Sequence, residues 1–343
     1  MQAIPYEERI RLSKAIPADG QFAVMRGIPQ FNGVEIREAP AIPQEKPAIL
    51  RTAVFNMEHG YRNPEIAAYI RECPTMQGLD ILFANELDDG TERSGNINTA
   101  EELSSLMQAG YAYGLEFIEL ANSRDRKGYE GNAIFSRWPI VRAEAFYVPE
   151  AYNWYFDEQT RIGGRVDIFA ELDVAGTHIG AVCVHLENRC ASAGRAAQIQ
   201  ATVDHAREYF GDMPILVGGD CNTYAYNDAV PAESAARMAL QQEGVPTLKA
   251  EDGEAMFEVL TRNGYDYASF NGTGLATRRK PMKDGDLELH LDWIFGKGIT
   301  CVEHGVLSTL LSDCTFASPD SPLRTCQSKQ LSDHNAVYAF CRL

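Results

Sequence analysis

The stretch RVDIFAELDVAGTHIGAVCVH, residues 165–185, decides the fold class, because it holds two apolar segments separated by a turn. Residues 165–174 and 178–185 are rich in Val, Ile, Phe and Ala, which predicts two strands. The Ala-Gly-Thr between them is a hairpin signal, so we expect the two strands to be antiparallel. Helical segments surround this hairpin in the chain, which predicts mixed β-sheets covered by helices.

Outward from this hairpin, strand-like and helix-like segments alternate along most of the chain. We predict further strands at 49–56, 79–85, 115–120, 131–136, 214–219, 290–295 and 335–342. We predict helices at 63–72, 99–109 and 192–210, and later helices inside 231–243 and 251–263. Thr99 with Glu102 fits a capping box at the start of the second helix.

The pattern of segments along the chain also predicts the domain organisation. Residues 49–343 show no internal repeat, low-complexity tract or linker, so we expect a single α/β domain there. Residues 1–48 are rich in proline and weakly periodic, so we expect an N-terminal extension packed on the surface of that domain.

Charge and apolar patterning limit the partners and the compartment. The 343 residues carry a formal net charge of -17, and an acidic surface disfavours tight non-specific binding of nucleic acid. A bound metal ion can still invert the potential inside a site. The chain has no run of 18 apolar residues and no apolar N-terminal leader, so we expect no transmembrane segment and a cytoplasmic protein, with a secreted form as the alternative.

The eight cysteines form no C-x-x-C pair, which gives no support for a zinc site. Cys183, Cys221 and Cys341 lie in or beside apolar runs and are expected to be buried thiols. Cys314 and Cys326 flank a polar stretch and could pair in an oxidising compartment.

Polar side chains stand at or near the ends of several predicted strands. They are Asn56, Asn85, Glu86, His185, Asp220, Asn222, Asp292, Asp333 and His334. Strand ends on one edge of a covered sheet meet at a crevice, so these residues are candidates for one site. Each has an ordinary alternative, because an aspartate after a strand often serves a turn and a histidine there is often a surface residue. Asp292 is more informative, since a carboxylate inside the apolar strand HLDWIF needs His334 or a cation as its partner.

The residue types point to phosphoryl chemistry. Oxygen ligands such as Asn56, Glu86 and Asp333 suit a hard cation, so we expect Mg²⁺, with Mn²⁺ as the alternative. Two histidines and an Asp/Asn pair beside such a cation suit displacement at phosphorus. The aspartate would position or deprotonate a water, and a cationic histidine would stabilise the added negative charge.

Seven motifs in order now suggest a family. They are FNMEHG (55–60), LDILFANEL (79–87), GNAIFSRWPI (131–140), VCVHLENR (182–189), GGDCNT (218–223), LDWIF (291–295) and LSDHNAV (331–337). This set resembles the endonuclease/exonuclease/phosphatase superfamily, which includes pancreatic-type deoxyribonucleases, apurinic endonucleases, neutral sphingomyelinases and inositol polyphosphate 5-phosphatases. The resemblance runs from about residue 50 to 343 and implies a four-layer α/β/β/α sandwich of two mixed β-sheets flanked by helices, with the site at one edge.

The resemblance also implies a set of metal ligands. Asn56 and Glu86 match the family's metal-site asparagine and glutamate, with Glu86 as the principal Mg²⁺ ligand, and Asp333 lies near the metal. Asn85 departs from the glutamine that usually precedes that glutamate, and Glu58 stands where apurinic endonucleases have an aspartate. Both departures leave the expected ligands in place.

The catalytic roles are carried over in the same way. His185 matches the histidine that contacts the phosphoryl group or assists the leaving group, and Asp220 matches the aspartate that orients the attacking water. Asn222 matches the asparagine that holds the phosphate or that aspartate. Asp292 matches the partner of His334, which acts on a phosphoryl oxygen.

The expected function is therefore Mg²⁺-dependent hydrolysis of a phosphoester, with a phosphodiester favoured. Arg161 and Arg278 are positive positions in variable loops and are expected to bind substrate, although solvated loop charge is the simpler interpretation. The acidic balance favours a small molecule or a lipid head group over nucleic acid. The alternatives are a DNA or RNA endo- or exonuclease, and a catalytically silent member that only binds a partner.

Overall fold

The computed structural model of the chain describes residues 1–223, 227, 230–244, 250–272 and 274–343. Within those ranges the helices are α1 (Tyr6–Ser13), α2 (Ile16–Asp19), α3 (Gln21–Arg26), α4 (Asn63–Glu72), α5 (Thr99–Met107), α6 (Ser192–Phe210), α7 (Pro231–Gln242), α8 (Met256–Arg262) and α9 (Pro322–Thr325). The strands are β1 (Val34–Arg37), β2 (Leu50–His59), β3 (Ile81–Asp89), β4 (Gly110–Glu119), β5 (Tyr129–Ser136), β6 (Ile140–Tyr147), β7 (Arg161–Gly163), β8 (Val166–Val174), β9 (Thr177–His185), β10 (Ile215–Asp220), β11 (Arg278–Met282), β12 (Gly285–Leu289), β13 (Asp292–Lys297), β14 (Thr300–Leu307) and β15 (Ala336–Arg342).

The predicted hairpin is present as β8 and β9, which pair antiparallel with Ile168 opposite Cys183. Its two turn residues, Ala175 and Gly176, have φ of 50° and 85°, as a tight hairpin turn of the I′ kind requires. After β9 the chain crosses through α6 and returns as β10, which lies parallel to β9. The sheet is therefore mixed, as predicted.

Two large sheets form the centre of the fold. The first has eight strands in the order β1-β4-β5-β3-β2-β15-β14, with β7 paired to β4. The second has five strands in the order β13-β10-β9-β8-β6. Strands β11 and β12 form a separate hairpin.

The apolar cores show how these layers stack. One core lies between the two sheets and includes Val54, Phe83, Ile168 and Leu216. A second core packs the outer face of the first sheet against α4 and α5, and a third packs the outer face of the second sheet against α6 and α8. The result is the expected four-layer α/β/β/α sandwich.

The start of α5 differs from the expected capping box. The cap is Asn98, whose side chain accepts a hydrogen bond from the Glu101 backbone N–H at 3.0 Å. The Thr99 hydroxyl instead donates to the Asp88 carbonyl oxygen at 2.8 Å. Thr99 is therefore engaged by β3, which moves the cap one residue towards the N-terminus.

Residues 1–48 contain helices that the weak periodicity did not predict. Helices α1 to α3 cover the β4 and β7 side of the first sheet, and β1 pairs antiparallel with β4. A buried cluster joins Ile16, Met25 and Phe31 of this segment to Leu115 and Ile162 of the sheet. The segment thus contributes apolar side chains to the core.

Two further expectations concern membranes and cysteines. Within the described residues, no helix is long and apolar enough to cross a membrane. The eight cysteines are free, so Cys314 and Cys326 are not joined. Cys183, Cys221 and Cys341 are buried thiols, as expected.

Candidate active site

The site lies at the edge of the sandwich where parallel strands of both sheets end side by side: β2 with β3, and β9 with β10. A cavity of about 440 Å³ opens there. The predicted site residues that line it are Glu86, Arg161, His185, Asp220, Asn222, Arg278, Asp333 and His334. Asn56 and Asp292 lie behind this wall and hydrogen-bond to residues in it. The structure thus brings all ten predicted residues together.

Two irregularities in neighbouring strands shape one wall of the cavity. The register of β2 against β3 shifts between Asn56 and His59, and the register of β3 against β5 shifts between Ala84 and Leu87. Glu86 stands at the second shift with φ of 55°, a backbone region that is costly for a side chain of this size. A regular strand would point this carboxylate differently, so the irregularity aims Glu86 into the cavity.

Asn56 holds two carboxylates of the site together. Its amide nitrogen donates to Glu86 at 2.9 Å and to Asp220 at 3.2 Å. Its amide oxygen accepts the Glu58 backbone N–H at 3.1 Å, and its own carbonyl accepts the Ser332 hydroxyl at 2.8 Å. Asn56 is fully buried, and in this arrangement it positions Glu86 and Asp220.

Asp220 reaches the cavity because β10 passes very close to its neighbours. A Cβ on Gly219 would lie 1.9 Å from the Val184 carbonyl oxygen, and a Cβ on Gly218 would lie 2.6 Å from the Phe83 ring. Only glycine fits at these two positions. The Asp220 backbone N–H then donates to the Asn85 side chain at 2.9 Å, which ties the end of β10 to β3 in the facing sheet.

Asn222 closes the turn that follows β10. Its backbone N–H donates to the Asp220 carboxylate at 2.9 Å, and its side-chain nitrogen donates to the Leu186 carbonyl at 2.9 Å. Its φ is 48°, a value that asparagine adopts more readily than most residues. Because Asn222 follows Asp220 by two residues, its backbone N–H can hold the Asp220 carboxylate in place.

His334 is held by the aspartate that the sequence predicted as its partner. Its Nδ1 lies 2.8 Å from Asp292, and its Nε2 lies 3.8 Å from Asp220. Burial alone would lower the pKa of His334, but the charges of Asp292, Asp220 and Asp333 and the hydrogen bond that His334 donates to Asp292 raise it to about 10. The imidazole is therefore cationic at neutral pH.

His185 approaches the same carboxylate oxygen of Asp220 as His334 does. Its Nδ1 pairs with Glu116 at 2.9 Å, and its Nε2 lies 3.9 Å from Asp220. Burial and the nearby Arg165 lower the pKa of His185, but the charge and hydrogen bond of Glu116 outweigh them and raise it. Two imidazoles thus lie within 3.9 Å of one oxygen of Asp220.

The predicted substrate-binding arginines both pair with carboxylates at the cavity. Arg278 donates to Asp333 at 2.8 Å, and burial would raise the pKa of Asp333 but the charges of His334 and Arg278 lower it. Arg161 is buried and lies 3.4 Å from Glu130. Neither arginine is a simple solvated loop charge.

Comparison with known proteins identifies the family to which this constellation belongs. The model of the endonuclease/exonuclease/phosphatase family matches residues 53–334. The chain belongs to this family.

Solved structures agree with that assignment at the level of the fold. An endonuclease/exonuclease/phosphatase from Beutenbergia cavernae DSM 12333 is similar with a TM-score of 0.56 at 18% identity, over 87% of this chain and 72% of that one. Family members from Bacteroides vulgatus and Leptotrichia buccalis C-1013-b each have a TM-score of 0.53, at 16% and 15% identity, over 87% and 86% of this chain and 100% of theirs. No curated protein matches this chain.

The family site offers groups that could hold a cation. Ligand atoms of Glu86, His185 and Asp220 lie within 4.8 Å of one another, and so do those of Asp220, Asp292 and His334. A buried oxygen of Asp292 has no hydrogen-bond partner among the described residues. A donor set dominated by carboxylate oxygens suits a hard divalent cation.

A third cluster of possible ligand atoms lies at the ends of β2, β3 and β5. His59, Asp88 and Glu130 also lie within 4.8 Å of one another. Arg93 donates to Asp88 at 2.8 Å and to Glu130 at 2.6 Å, and Arg161 lies 3.4 Å from Glu130, so two guanidinium groups offset the two carboxylates. This group is an ion-pair network that borders the groups around Asp220, because His59 and Glu130 line the cavity and His59 Nε2 lies 3.9 Å from Glu86.

Sequence reasoning missed two residues that position His185. Glu116 is fully buried in β4 and pairs with both His185 and Arg165. The signal was available, because Glu116 is a carboxylate inside the apolar run YGLEFIEL, as Asp292 is inside its own strand. Arg165 lies just before β8 and gave no comparable signal.

Five positive side chains lie in the walls of the cavity. Arg161, Arg165, Arg189, Arg278 and Lys280 all line it. The same lining includes five carboxylates (Glu58, Glu86, Glu130, Asp220 and Asp333), so positive and acidic side chains are equal in number there, in a chain whose net charge is -17.

Proposed function

We propose that the chain is a Mg²⁺-dependent phosphoester hydrolase that acts on phosphodiesters, with Mn²⁺ as the alternative metal. The observation that carries the proposal is the position of Asp220. Its carboxylate lies 3.8 and 3.9 Å from the Nε2 atoms of His334 and His185 and 3.2 Å from Asn56, which also holds Glu86. Family membership supports phosphoester chemistry, and the geometry supports these residues as its centre.

The metal would be held on the Glu86 side of the cavity. Glu86 is the principal candidate ligand, Asn56 is hydrogen-bonded to it, and Asp333 lines the same cavity. A hard cation bound there would neutralise charge on the phosphoryl and leaving-group oxygens. The Asn56 amide would keep Glu86 oriented towards the cavity.

The protein's own groups divide the remaining work. Asp220 would orient the attacking water and accept its proton, because both carboxylate oxygens are fixed, one by the Asn222 N–H and the other by Asn56. His334, cationic through Asp292, would stabilise negative charge on a phosphoryl oxygen.

His185 would act on the same phosphoryl group or on its leaving group. Glu116 keeps the imidazole oriented and favours its protonated form, so it can stabilise the phosphoryl group or protonate the leaving oxygen. Asn222, Arg161 and Arg278 line the cavity and would bind phosphate oxygens.

The experiment is hydrolysis of bis-p-nitrophenyl phosphate with Mg²⁺ or Mn²⁺ and with EDTA. We expect Asp220→Asn and His334→Ala to lower kcat by about 10²- to 10⁴-fold each, as loss of a general base or a charge-stabilising group does. His178→Ala is the matched control, because His178 lies at the far end of β9 and is half exposed. Equal turnover by wild type, by both site variants and in EDTA would refute the proposal.

A further inference from the structure

One part of the cavity wall places Arg161 beside three residues to which the proposed chemistry assigns no contact with phosphate, Trp154, Arg165 and Arg189. Three guanidinium groups converge on the indole ring of Trp154, with their central carbons 4.8 Å (Arg161), 5.5 Å (Arg165) and 5.7 Å (Arg189) from its centre. All four residues line the same cavity as His185 and Asp220. We call these four residues the arginine cluster.

The arginine cluster is built on a buried carboxylate. Glu187 is 1% exposed, and it accepts the Trp154 indole N–H at 2.9 Å and the Arg189 backbone N–H at 2.8 Å. Arg165 reaches the same carboxylate at 3.4 Å and the Asn188 side chain at 3.2 Å. The cluster is therefore held in place before any ligand arrives, which lowers the entropy cost of binding.

The three arginines differ in how completely they are paired. Arg165 has close partners in Glu116 and Glu187. Arg161 donates to Gln159 and, at 3.4 Å, to Glu130, and its Nε lies 3.6 Å from Glu119. Arg189 lies 3.8 Å from Asp157, which is beyond hydrogen-bonding distance.

Two donors in the cluster are buried without a hydrogen bond to the described residues, and each lies near a carboxylate: Arg161 Nε is 3.6 Å from Glu119 and Arg189 Nε is 3.8 Å from Asp157. Among the residues that the structure describes, no acceptor satisfies Nε of Arg161 or Nε of Arg189. Buried polar groups without a partner are costly, and an anion between these arginines would supply one. Guanidinium groups suit phosphate because their planar N–H groups match its oxygens.

We propose that the arginine cluster binds a second phosphate group of the substrate, so that the substrate is a small phosphoester carrying two phosphates. The assignment rests on the proposed hydrolase function. The cluster adjoins the centre directly, because Arg165 Nη1 lies 2.9 Å from His185 Nε2. One phosphate would stand at Asp220 while the other occupies the arginines.

Burial favours a small ligand over a polymer. Arg161 and Arg165 are 7% and 6% exposed, so the second phosphate has to enter the cavity to reach them. A nucleic-acid backbone would continue beyond the cavity across the surface of a chain with net charge -17, where its phosphates are repelled.

The test compares two sugar phosphates that differ by one phosphate group. Binding of fructose 1,6-bisphosphate and of fructose 6-phosphate is measured by calorimetry, and their inhibition of bis-p-nitrophenyl phosphate hydrolysis is measured in parallel. For wild type we expect the bisphosphate to bind at least about tenfold more tightly, as one charge-assisted interaction supplies.

Variants at Arg189 assign that preference to the cluster. Arg189→Gln is expected to reduce the ratio of the two affinities to about threefold or less, and Arg189→Lys to give an intermediate ratio, because lysine keeps the charge but loses the planar donor set. Arg207→Gln is the matched control, since Arg207 is an exposed arginine in the last turn of α6. It should keep the wild-type ratio.

The outcomes separate this proposal from the proposed function. Equal affinities of wild type for the two sugars, or an unchanged ratio in a folded Arg189→Gln, would overturn the second-phosphate site even if the enzyme hydrolyses diesters. Tight binding of single-stranded DNA without any preference for the bisphosphate would overturn the small-ligand assignment. Absence of hydrolysis would refute the proposed hydrolase function, while the ratio of the affinities for the two sugar phosphates would still test the second-phosphate site. If Arg189→Gln fails to fold, as judged by circular dichroism, the test uses Arg189→Lys instead. An affinity ratio in Arg189→Lys equal to that of wild type would then overturn the second-phosphate site.

Discussion

Asp167 is a buried carboxylate that lies outside the proposed chemistry. It is fully buried in β8, and one of its oxygens lies 2.6 Å from the Thr202 hydroxyl. That hydroxyl also lies 3.0 Å from the Gln198 carbonyl, and it has a single proton to donate. Both contacts are satisfied together when Asp167 is protonated and donates to Thr202. Burial raises the pKa of Asp167 to about 8, which agrees with this arrangement.

Asp167→Asn should therefore flatten the pH dependence of stability. The folded chain keeps this proton up to about pH 8, whereas the unfolded chain loses it near its ordinary pKa of 3.8. Stability from this group is thus complete below about pH 4 and is lost as pH rises towards 8, by at most about 1.4 kcal/mol per pH unit.

The measurement is the free energy of unfolding in urea at pH 5 and at pH 8. Wild type should lose more stability between these values than Asp167→Asn, whose amide can donate to Thr202 at either pH. Parallel changes in the two proteins would contradict a protonated Asp167.

Single residues show what the sequence could and could not predict about the site. The buried carboxylate Asp292 required a partner, and the structure supplies His334, one of the two that were expected. The pairing of Arg278 with Asp333 joins residues 55 positions apart and had no signal in either local pattern. Local patterns identify which groups need a partner, but long-range packing decides which partner they meet.

At the scale of elements, β10 depends on glycine at a close approach between strands. Gly219 has φ of 154°, and a Cβ there would lie 1.9 Å from the carbonyl oxygen of Val184 in β9. We expect Gly219→Ala to destabilise the protein by about 3 kcal/mol or more, at the upper end of overpacking costs. Activity should fall as well, because the substitution displaces the neighbouring Asp220.

Urea denaturation of Gly219→Ala and of Gly33→Ala tests this expectation. Gly33 is the control because a Cβ there would meet nothing within 4 Å. Equal stability of the two variants would show that β10 can shift without cost and that the glycine does not determine the position of Asp220.

Strands with strong apolar patterning were predicted, and strands that depend on a partner were not. The hairpin of β8 and β9 carries its own turn and apolar runs, and its antiparallel pairing was predicted. Strand β14, at the edge of the first sheet, has the half-exposed sequence TCVEHGVL, which carries no clear period. Such a strand forms because β15 offers it hydrogen bonds, which is a tertiary effect.

For the whole molecule, we propose that residues 1–48 unfold together with the rest of the chain. Phe31 is 2% exposed and packs edge-on against Tyr147 of β6, with ring centres 5.8 Å apart. Phe31→Ala should lower the free energy of unfolding by roughly 3–5 kcal/mol in a single transition. Phe156→Ala is the control, because Phe156 is 67% exposed.

Urea unfolding, followed by far-ultraviolet circular dichroism and tryptophan fluorescence, measures this change in the free energy of unfolding. An unchanged urea midpoint in Phe31→Ala would mean that residues 1–48 do not unfold together with the rest of the chain. Composition alone predicted surface packing for this segment, and its role in the core became visible only with β4 and β7 in place.

The central claim for the whole molecule is that Glu86 holds a divalent cation needed to cut a phosphoester bond. The most direct measurement is the initial rate of bis-p-nitrophenyl phosphate hydrolysis as a function of Mg²⁺ concentration, for wild type and Glu86→Gln, with the exposed Glu101→Gln as control. We predict no turnover in EDTA, saturation by Mg²⁺ in wild type and in Glu101→Gln, and at least about a tenfold higher Mg²⁺ requirement in Glu86→Gln. Full activity in EDTA, or the same Mg²⁺ dependence in all three proteins, would contradict the claim.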